Sequence, residues 1–352
     1  MVESSLMRIL SAFELGSEPV EAEGYGSGNI NRTYRIVCAD GHRYILQRIS
    51  EQLTCRPDLL MKNIVRVSEH LRRKDPDPRR VLTVIPAKTG EPLVSVSGGA
   101  WRVYPFIENT ICYSKLRSDE DFYRTALAFG RFEQQLEDFD ASLLYDTIPG
   151  FHDTPGRFRQ LHQAMEDDAA GRKQAVQAEI EFLLQREEEM GVLQRMRDSG
   201  ELPTRVTHND TKLNNILFDV DTGEPLCVID LDTVMPGLSL YDFGDAIRYG
   251  AATVDENEPD PSKMSLNLER YRLFADGFLK ACPGLTPLER ELLPVGAMVI
   301  TCEQAVRFLT DYLNGDIYYR IQRPRQNLDR TRTQIQLLQD MESNKRNMLT
   351  KS

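Results

Sequence analysis

The stretch RVTHNDTKLNNILFDVDTGEPLCVIDLDTV, residues 205–234, holds the side chains with most chemistry to offer. His208-x-Asp210 is followed by Lys212, by Asn215 five positions after the Asp, and by Asp230 fifteen positions after Asn215. Phosphoryl transfer from ATP needs these residue types. One carboxylate orients the attacking hydroxyl and accepts its proton; an Asn oxygen and a second carboxylate hold Mg²⁺, since hard cations prefer oxygen ligands. Lys212 could neutralise charge on the transferring group. A loop, the short strand NILFD, a turn at Asp221-Thr222-Gly223 and the buried strand LCVID would bring these groups to one place. A surface hairpin also uses Asp and Asn as turn residues. The joint spacing, with an apolar strand ending in Asp-Leu-Asp, favours the chemical reading.

The run THNDTKLNNILFD…VIDLD resembles the Brenner-type catalytic motif of the aminoglycoside phosphotransferase and choline kinase group, which shares the protein-kinase fold. More narrowly, the chain resembles N-acetylhexosamine 1-kinases, through YGSGNINRTY, RYILQ, GGAWRVYPFIE, FHDTPGRF, IDLDTVMPG, YDFGDAIRYGA, RFLTDYLNGDIYY and NLDRTRTQIQL. The resemblance implies Asp210 as catalytic base and Asn215 and Asp230 as Mg²⁺ ligands. It also implies Asp232, Arg307 and Tyr318 beside the sugar, with Asn29 and Asp210 completing that pocket. It implies ATP as donor and a small-molecule sugar as acceptor. Without it, Arg307 and Tyr318 read as a helix-surface ion pair and a packed aromatic.

Upstream, GYGSGNINRTY carries Gly24, Gly26 and Gly28, a glycine-rich turn whose backbone N–H groups can approach phosphates; Gly26, Ser27 and Gly28 are its candidate contacts. No Gly-Lys-Ser/Thr follows, so it is not a Walker A loop. YILQR offers Gln47 where many kinases of this fold place a phosphate-contacting Lys, and alternation turns Arg48 to the other face. Asn29 stands where N-acetylhexosamine 1-kinases commonly carry His. The connector WRVYPFIENT (101–110) suits a hinge, with adenine against the backbone around Phe106 and Ile107, and the lone Trp101 reads as core. Asp242, Asp245 and Arg248 recur at spacings of three, either bracing the catalytic loop or forming a solvated first helical turn. The five arginines of 320–332 read as a solvated helix face with acidic partners. The Asp-Phe-Gly at 242–244 follows the better-placed Asp230 and is a coincidence of letters.

These groups need a scaffold of two kinds. Residues 1–104 read as a strand-rich nucleotide-binding lobe, 105–110 as a hinge, 111–345 as a helical catalytic and sugar-binding lobe, and 346–352 as a fraying tail. The expected class is α+β, protein-kinase-like and bilobed, with a small antiparallel sheet and a large helical part. Strands flank Asp40-Gly41, RVLTVIPA and AWRVYPFI are further strands, and an amphipathic helix opens the chain. Helices are expected over 57–73, 119–139, 155–197, 263–281, 286–314 and 327–345, with an acidic loop at 250–263. Acidic residues outnumber basic ones, 54 to 43, and the net charge of −11 argues against nucleic acid or an anionic membrane as partner. No apolar run approaches the ~20 residues of a membrane helix. Six scattered cysteines without a CxxC pair suit reduced thiols in the cytoplasm. A monomer or weak homo-oligomer is expected. The rival functions are a kinase of another hexose, polyol, aminoglycoside or choline-like acceptor, and a ligand-binding pseudokinase.

Overall fold

The structure, a computed structural model, describes residues 4–26, 30–51, 56–96 and 98–349. The chain opens with α1 (Ser4–Leu10), β1 (Pro19–Gly24), β2 (Arg32–Cys38), β3 (Arg43–Ile49) and α2 (Pro57–Lys74). It continues through β4 (Val94–Val96), β5 (Gly99–Pro105), β6 (Thr110–Ile111), α3 (Asp119–Gln135) and α4 (Thr154–Asp167). Next come α5 (Gln177–Leu184), α6 (Glu187–Met190), α7 (Val192–Asp198), β7 (Arg205–Thr207), β8 (Ile216–Asp219) and β9 (Pro225–Val228). β10 (Met235–Gly237), α8 (Ser239–Gly250), α9 (Leu268–Ala281), α10 (Pro287–Leu313) and α11 (Gln326–Met348) complete it. This is the expected α+β class, a small antiparallel sheet in the N-terminal region and a helical C-terminal region. Two compact units result. One holds Met1–Cys112, Asp138–Pro149 and Ile216–Pro236, the other Tyr113–Glu137, Gly150–Asn215 and Gly237–Ser352.

In the first unit five strands run in the order β1-β2-β3-β5-β4, every neighbour antiparallel. Gly41, at φ +84°, makes the β2–β3 turn, a conformation that glycine adopts without strain. Alternation along the strands gives the sheet two distinct faces. On one, Ile36, Leu46, Trp101 and Val103 pack against Leu6, Ile9 and Leu10 of α1 and Phe13 beyond it, which is the core role expected of Trp101. The other face carries Gln47 and Arg102, directly opposed across β3 and β5. A second sheet, β6-β8-β9, draws the segment after Asn215 into this unit, although the sequence reading gave it to the helical lobe. RVLTVIPA does not form the expected strand. Val81, Ile85 and Ala87 make isolated bridges only. Pro86 has no N–H to donate, and the Thr83 hydroxyl bonds the Val81 carbonyl at 3.2 Å in place of a ladder partner.

In the second unit the Ser118 hydroxyl caps α3 by accepting the Asp121 N–H at 3.2 Å. Thr286 and Glu289 form a reciprocal capping box on α10, with Pro287 in its first turn. A Cβ at Gly244 would strike the Gly296 carbonyl, and one at Gly296 the Leu240 carbonyl, so these glycines let α8 and α10 cross in contact. α10 is long and apolar enough to cross a membrane by length and composition, but 78% of its apolar window is buried inside the protein. The stretch 155–197 is not one helix. Asp168 takes the left-handed conformation at the end of α4, and its carboxylate accepts the Arg172 and Lys173 N–H groups at 2.8 and 2.9 Å. The last helix, α11, runs past the expected end at 345 to Met348, which is buried.

Candidate active site

In the second unit β7 feeds a loop that carries Asp210. A 3₁₀ turn, Leu213–Asn215, closed by the Asn215 N–H on the Lys212 carbonyl at 2.9 Å, folds the chain back. That turn lets Asn215 Nδ2 donate to both the backbone oxygen and Oδ2 of Asp210, each at 2.8 Å. Lys212 Nζ pairs with Asp210 Oδ1. The three residues bring together what the spacing anticipated. Asp210 and Lys212 keep 28% and 32% of their side-chain surfaces accessible, enough for a ligand to meet them. Burial works against the Asp210 charge. The Lys212 ammonium overrides it, helped by His208 and the Asn215 bond, and holds the carboxyl below the usual range. The same pairing raises Lys212, chiefly through the Asp210 charge.

The loop is held from beneath. The buried Asp242 carboxylate on α8 accepts the backbone N–H groups of His208 at 2.7 Å and Asn209 at 2.6 Å. The Thr211 hydroxyl donates to the Asp242 carbonyl at 2.6 Å, and the Thr211 N–H reaches Asp245 at 3.2 Å. Arg248 neutralises Asp245 and pairs with Glu256, at 3.0 and 2.9 Å. The Phe129 and Phe132 rings meet His208 in T-shaped arrangements, with centroids at 5.3 and 5.8 Å. Asp242, Asp245 and Arg248 thus brace the loop that carries Asp210; they are not a solvated helix turn. The Asp-Phe-Gly letters lie on this bracing helix. Burial pushes the Asp242 carboxyl up to about 6, and burial followed by the charge of Asp242 raises Glu133 on α3.

In the first unit β9 ends before Asp230, which takes the left-handed conformation at φ +59°, and Leu231–Thr233 form a single 3₁₀ turn. Asp232 is buried. Its Oδ2 accepts from Asn31 Nδ2 at 2.6 Å and its Oδ1 pairs with Arg102. Arg102 in turn donates Nε and Nη2 to Gln47 Oε1 at 3.0 and 2.8 Å, and Gln47 Nε2 donates to Thr33 Oγ1 at 3.1 Å. Both ends of the Gln47 amide are therefore engaged inside the protein. Arg48 lies in register with Trp101, on the other face as alternation requires. Gly26 has φ +78°, as a turn glycine should, while Ser27, Gly28 and Asn29 lie outside the described residues. At the connector the Phe106 N–H donates to the Arg43 carbonyl at 3.0 Å, and the Ile107 carbonyl accepts from Thr110 Oγ1 at 2.7 Å. The Phe106 ring meets Tyr25 edge to face at 5.8 Å and the Arg43 guanidinium at 4.6 Å.

By donor chemistry alone, the Oδ1 of Asn215, whose Nδ2 is committed to Asp210, and in the first unit the carboxylate of Asp230 are each ligand types that suit a hard divalent cation. Among the described residues no three His, Cys, Asp or Glu side chains cluster as a self-sufficient metal cage. Arg307, on α10, lies 5.9 Å from the Phe151 ring centroid and 5.7 Å from that of Tyr319, and bonds Gln304 at 3.3 Å. Tyr318 is 71% exposed and its N–H is held by Asp311 at 2.8 Å. Glu303 accepts from His152 and Thr154, at 3.0 and 2.7 Å, which ties the FHDTPGRF segment to α10 beside Arg307. Of the basic run at 320–332, Arg323 and Arg332 find the acidic partners expected of them, in Asp329 and Glu179.

Sequence reasoning passed over Arg102 and Asn31. The available signal was an arginine within an apolar strand, on the same face as Gln47. The model of the phosphotransferase enzyme family matches residues 21–270. Among solved structures, the chain resembles a microcompartment-associated aminopropanol kinase with TM-score 0.60, at 15% identity over 99% of both chains. An aminoglycoside phosphotransferase from Alicyclobacillus acidocaldarius gives 0.62 and 14%, over 99% of this chain and 96% of that one. An amicoumacin kinase in complex with AMP-PNP, Ca²⁺ and Ami gives 0.62 and 14%, over 96% and 93%.

Proposed function

Because this chain belongs to the phosphotransferase enzyme family, we propose that it is an ATP-dependent anomeric kinase acting on the C1 hydroxyl of an N-acetylhexosamine, GlcNAc or GalNAc. The observation that carries the reading is the Asp210–Lys212–Asn215 triad, an ionised carboxylate on a loop braced by Asp242. Asp210 orients the sugar hydroxyl and takes its proton as the oxygen attacks the γ-phosphorus. The bond from that phosphorus to the β-bridging oxygen breaks, and ADP leaves. Lys212 holds Asp210 charged and offsets negative charge nearby. Asn215 and Asp230 would hold Mg²⁺, whose chemistry is to neutralise the phosphate oxygens and align the donor. Gly26 with Ser27 and Gly28 would lie along the phosphates, and Phe106 and Ile107 along the adenine.

An uncharged, oxygen-rich acceptor suits the residues around Arg307. Glu303, Asp311 and Asp316 there are each engaged by the protein's own donors, so they are poorly placed to draw in an amine. By the family resemblance, Arg307 and Tyr318 of the second unit and Asn29 and Asp232 of the first are the proposed sugar contacts. The buried free thiols of Cys38, Cys227, Cys282 and Cys302 support a reducing, cytoplasmic setting. ATP consumption measured against GlcNAc, GalNAc, glucose, galactose, choline, ethanolamine and kanamycin tests the proposal. Turnover should be greatest with the two N-acetylhexosamines; turnover confined to the amines would replace it.

A further inference from the structure

Arg102 lies directly across the β-ladder from Gln47 and is 1% exposed. Its guanidinium is fully employed inside the first unit. Nε and Nη2 converge on Gln47 Oε1, and Nη1 reaches Asp232 Oδ1. The remaining links run outward from that pair. Thr33 fixes the far end of Gln47 at 3.1 Å; Asn31 holds the second oxygen of Asp232 at 2.6 Å; and the Ser50 N–H holds Asn31 Oδ1 at 3.0 Å. Asp232 is 4% exposed and sits two residues after Asp230, whose left-handed φ of +59° is uncommon for a side chain other than glycine. Asp adopts it more readily than most side chains, and the Arg102–Asp232 pair and the Asn31 bond fix the residue two positions further on.

We propose that Arg102 is a positioning residue, a buried cation that pins the Asp230–Thr233 turn through Asp232, with Gln47 serving as its bracket and not as a phosphate ligand. The inference rests on the kinase reading above and adds to it the reason why Gln47 stands where a lysine is usual. A planar guanidinium reaches Gln47 and Asp232 at once; an ammonium has neither the span nor the fork. Asp232, with both oxygens occupied, is then a structural acceptor for this turn before it is anything to the sugar.

The test measures Mn²⁺ affinity by electron paramagnetic resonance on the full chain with AMP-PNP present, so that no turnover is required. AMP-PNP affinity without metal is measured by calorimetry beside it. Arg102→Lys should weaken Mn²⁺ binding about tenfold or more while metal-free AMP-PNP binding stays within about twofold. Gln47→Met should show the same split at about threefold. Arg102→Leu combined with Asp232→Leu removes both buried charges. It should recover the melting temperature lost by Arg102→Leu alone, yet retain the weak Mn²⁺ affinity. Wild-type Mn²⁺ affinity in folded Arg102→Lys would overturn the inference, as would full recovery of that affinity in the double variant. Equal losses of metal and metal-free nucleotide would overturn it too, by making Arg102 a phosphate contact. A wild-type protein that binds Mn²⁺ and AMP-PNP but phosphorylates no sugar defeats the substrate reading and leaves this inference standing. One that binds neither defeats both.

Discussion

Asp210, partly accessible, and Asp242, buried, are two carboxylates shifted in opposite directions, and the difference has consequences for pH. Lys212 keeps Asp210 ionised below the usual carboxylate range, so Asp210 does not titrate near neutrality. Asp242, pushed up to about 6 by burial, does. Only its ionised form accepts both the His208 and Asn209 N–H groups, and each unit of pKa is a tenfold change in the ratio of forms. As pH falls through 6 the charged form drops to half and the loop loses an acceptor. The rate should therefore decline below about pH 6 through loosening of the loop, well before the base itself is protonated. A kcat–pH profile checks this; a plateau unbroken down to pH 4.5, at constant fold, would show that Asp242 is not the titrating brace. Asp210→Asn should reduce turnover by at least about a hundredfold, the scale of general-base catalysis, with nucleotide affinity retained. Nucleotide titrations beside turnover assays separate that outcome from misfolding. That Asp210, Lys212 and Asn215 come together was legible because spacing within one short stretch carries it. The Arg102–Asp232 pair was not, since its partners stand 130 positions apart and no local pattern joins them.

At the scale of elements, close helix contact and capping decide stability. Gly244 and Gly296 leave no room for a side chain between α8 and α10. Gly244→Ala should therefore destabilise the protein by about 1–3 kcal/mol, the usual cost of overpacking, despite alanine's better helix propensity. Since α8 also carries Asp242, activity should fall with stability; chemical denaturation run with kcat measurements checks both. Thr286→Ala removes half of the α10 capping box and should cost about 1 kcal/mol without touching kcat. Helices with apolar residues at helical spacing, such as α2 with its opening Pro57, and α3, were readable from the sequence. The break after α4 was not anticipated, because it depends on a single Asp168 side chain closing on two N–H groups. RVLTVIPA misled for the converse reason. Its residues favour a strand, yet Pro86 and the Thr83 hydroxyl leave it only isolated bridges.

For the whole molecule, the net charge of −11 does not by itself define the acceptor, because the carboxylates around Arg307 are already engaged by protein donors. Arg307→Ala should raise the sugar KM about ten- to a hundredfold, the cost of a hydrogen bond to a charged group, and leave the ATP KM nearly unchanged. Equal changes in both constants, with a lower melting temperature, would assign Arg307 to bracing. The general class was readable from the balance of strand-rich and helix-rich stretches. The compact units were less so, since β8 and β9 join the first unit by pairing with β6 rather than by sequence proximity. The central claim is that Asp210 directs phosphoryl transfer to the anomeric oxygen. Phosphorus NMR of the product formed from GlcNAc and ATP tests it most directly. The account predicts a signal coupled to the anomeric proton, formed in step with ADP and absent with Asp210→Asn. A signal coupled to any other sugar proton, or one that persists undiminished in the Asp210 variant, would contradict it.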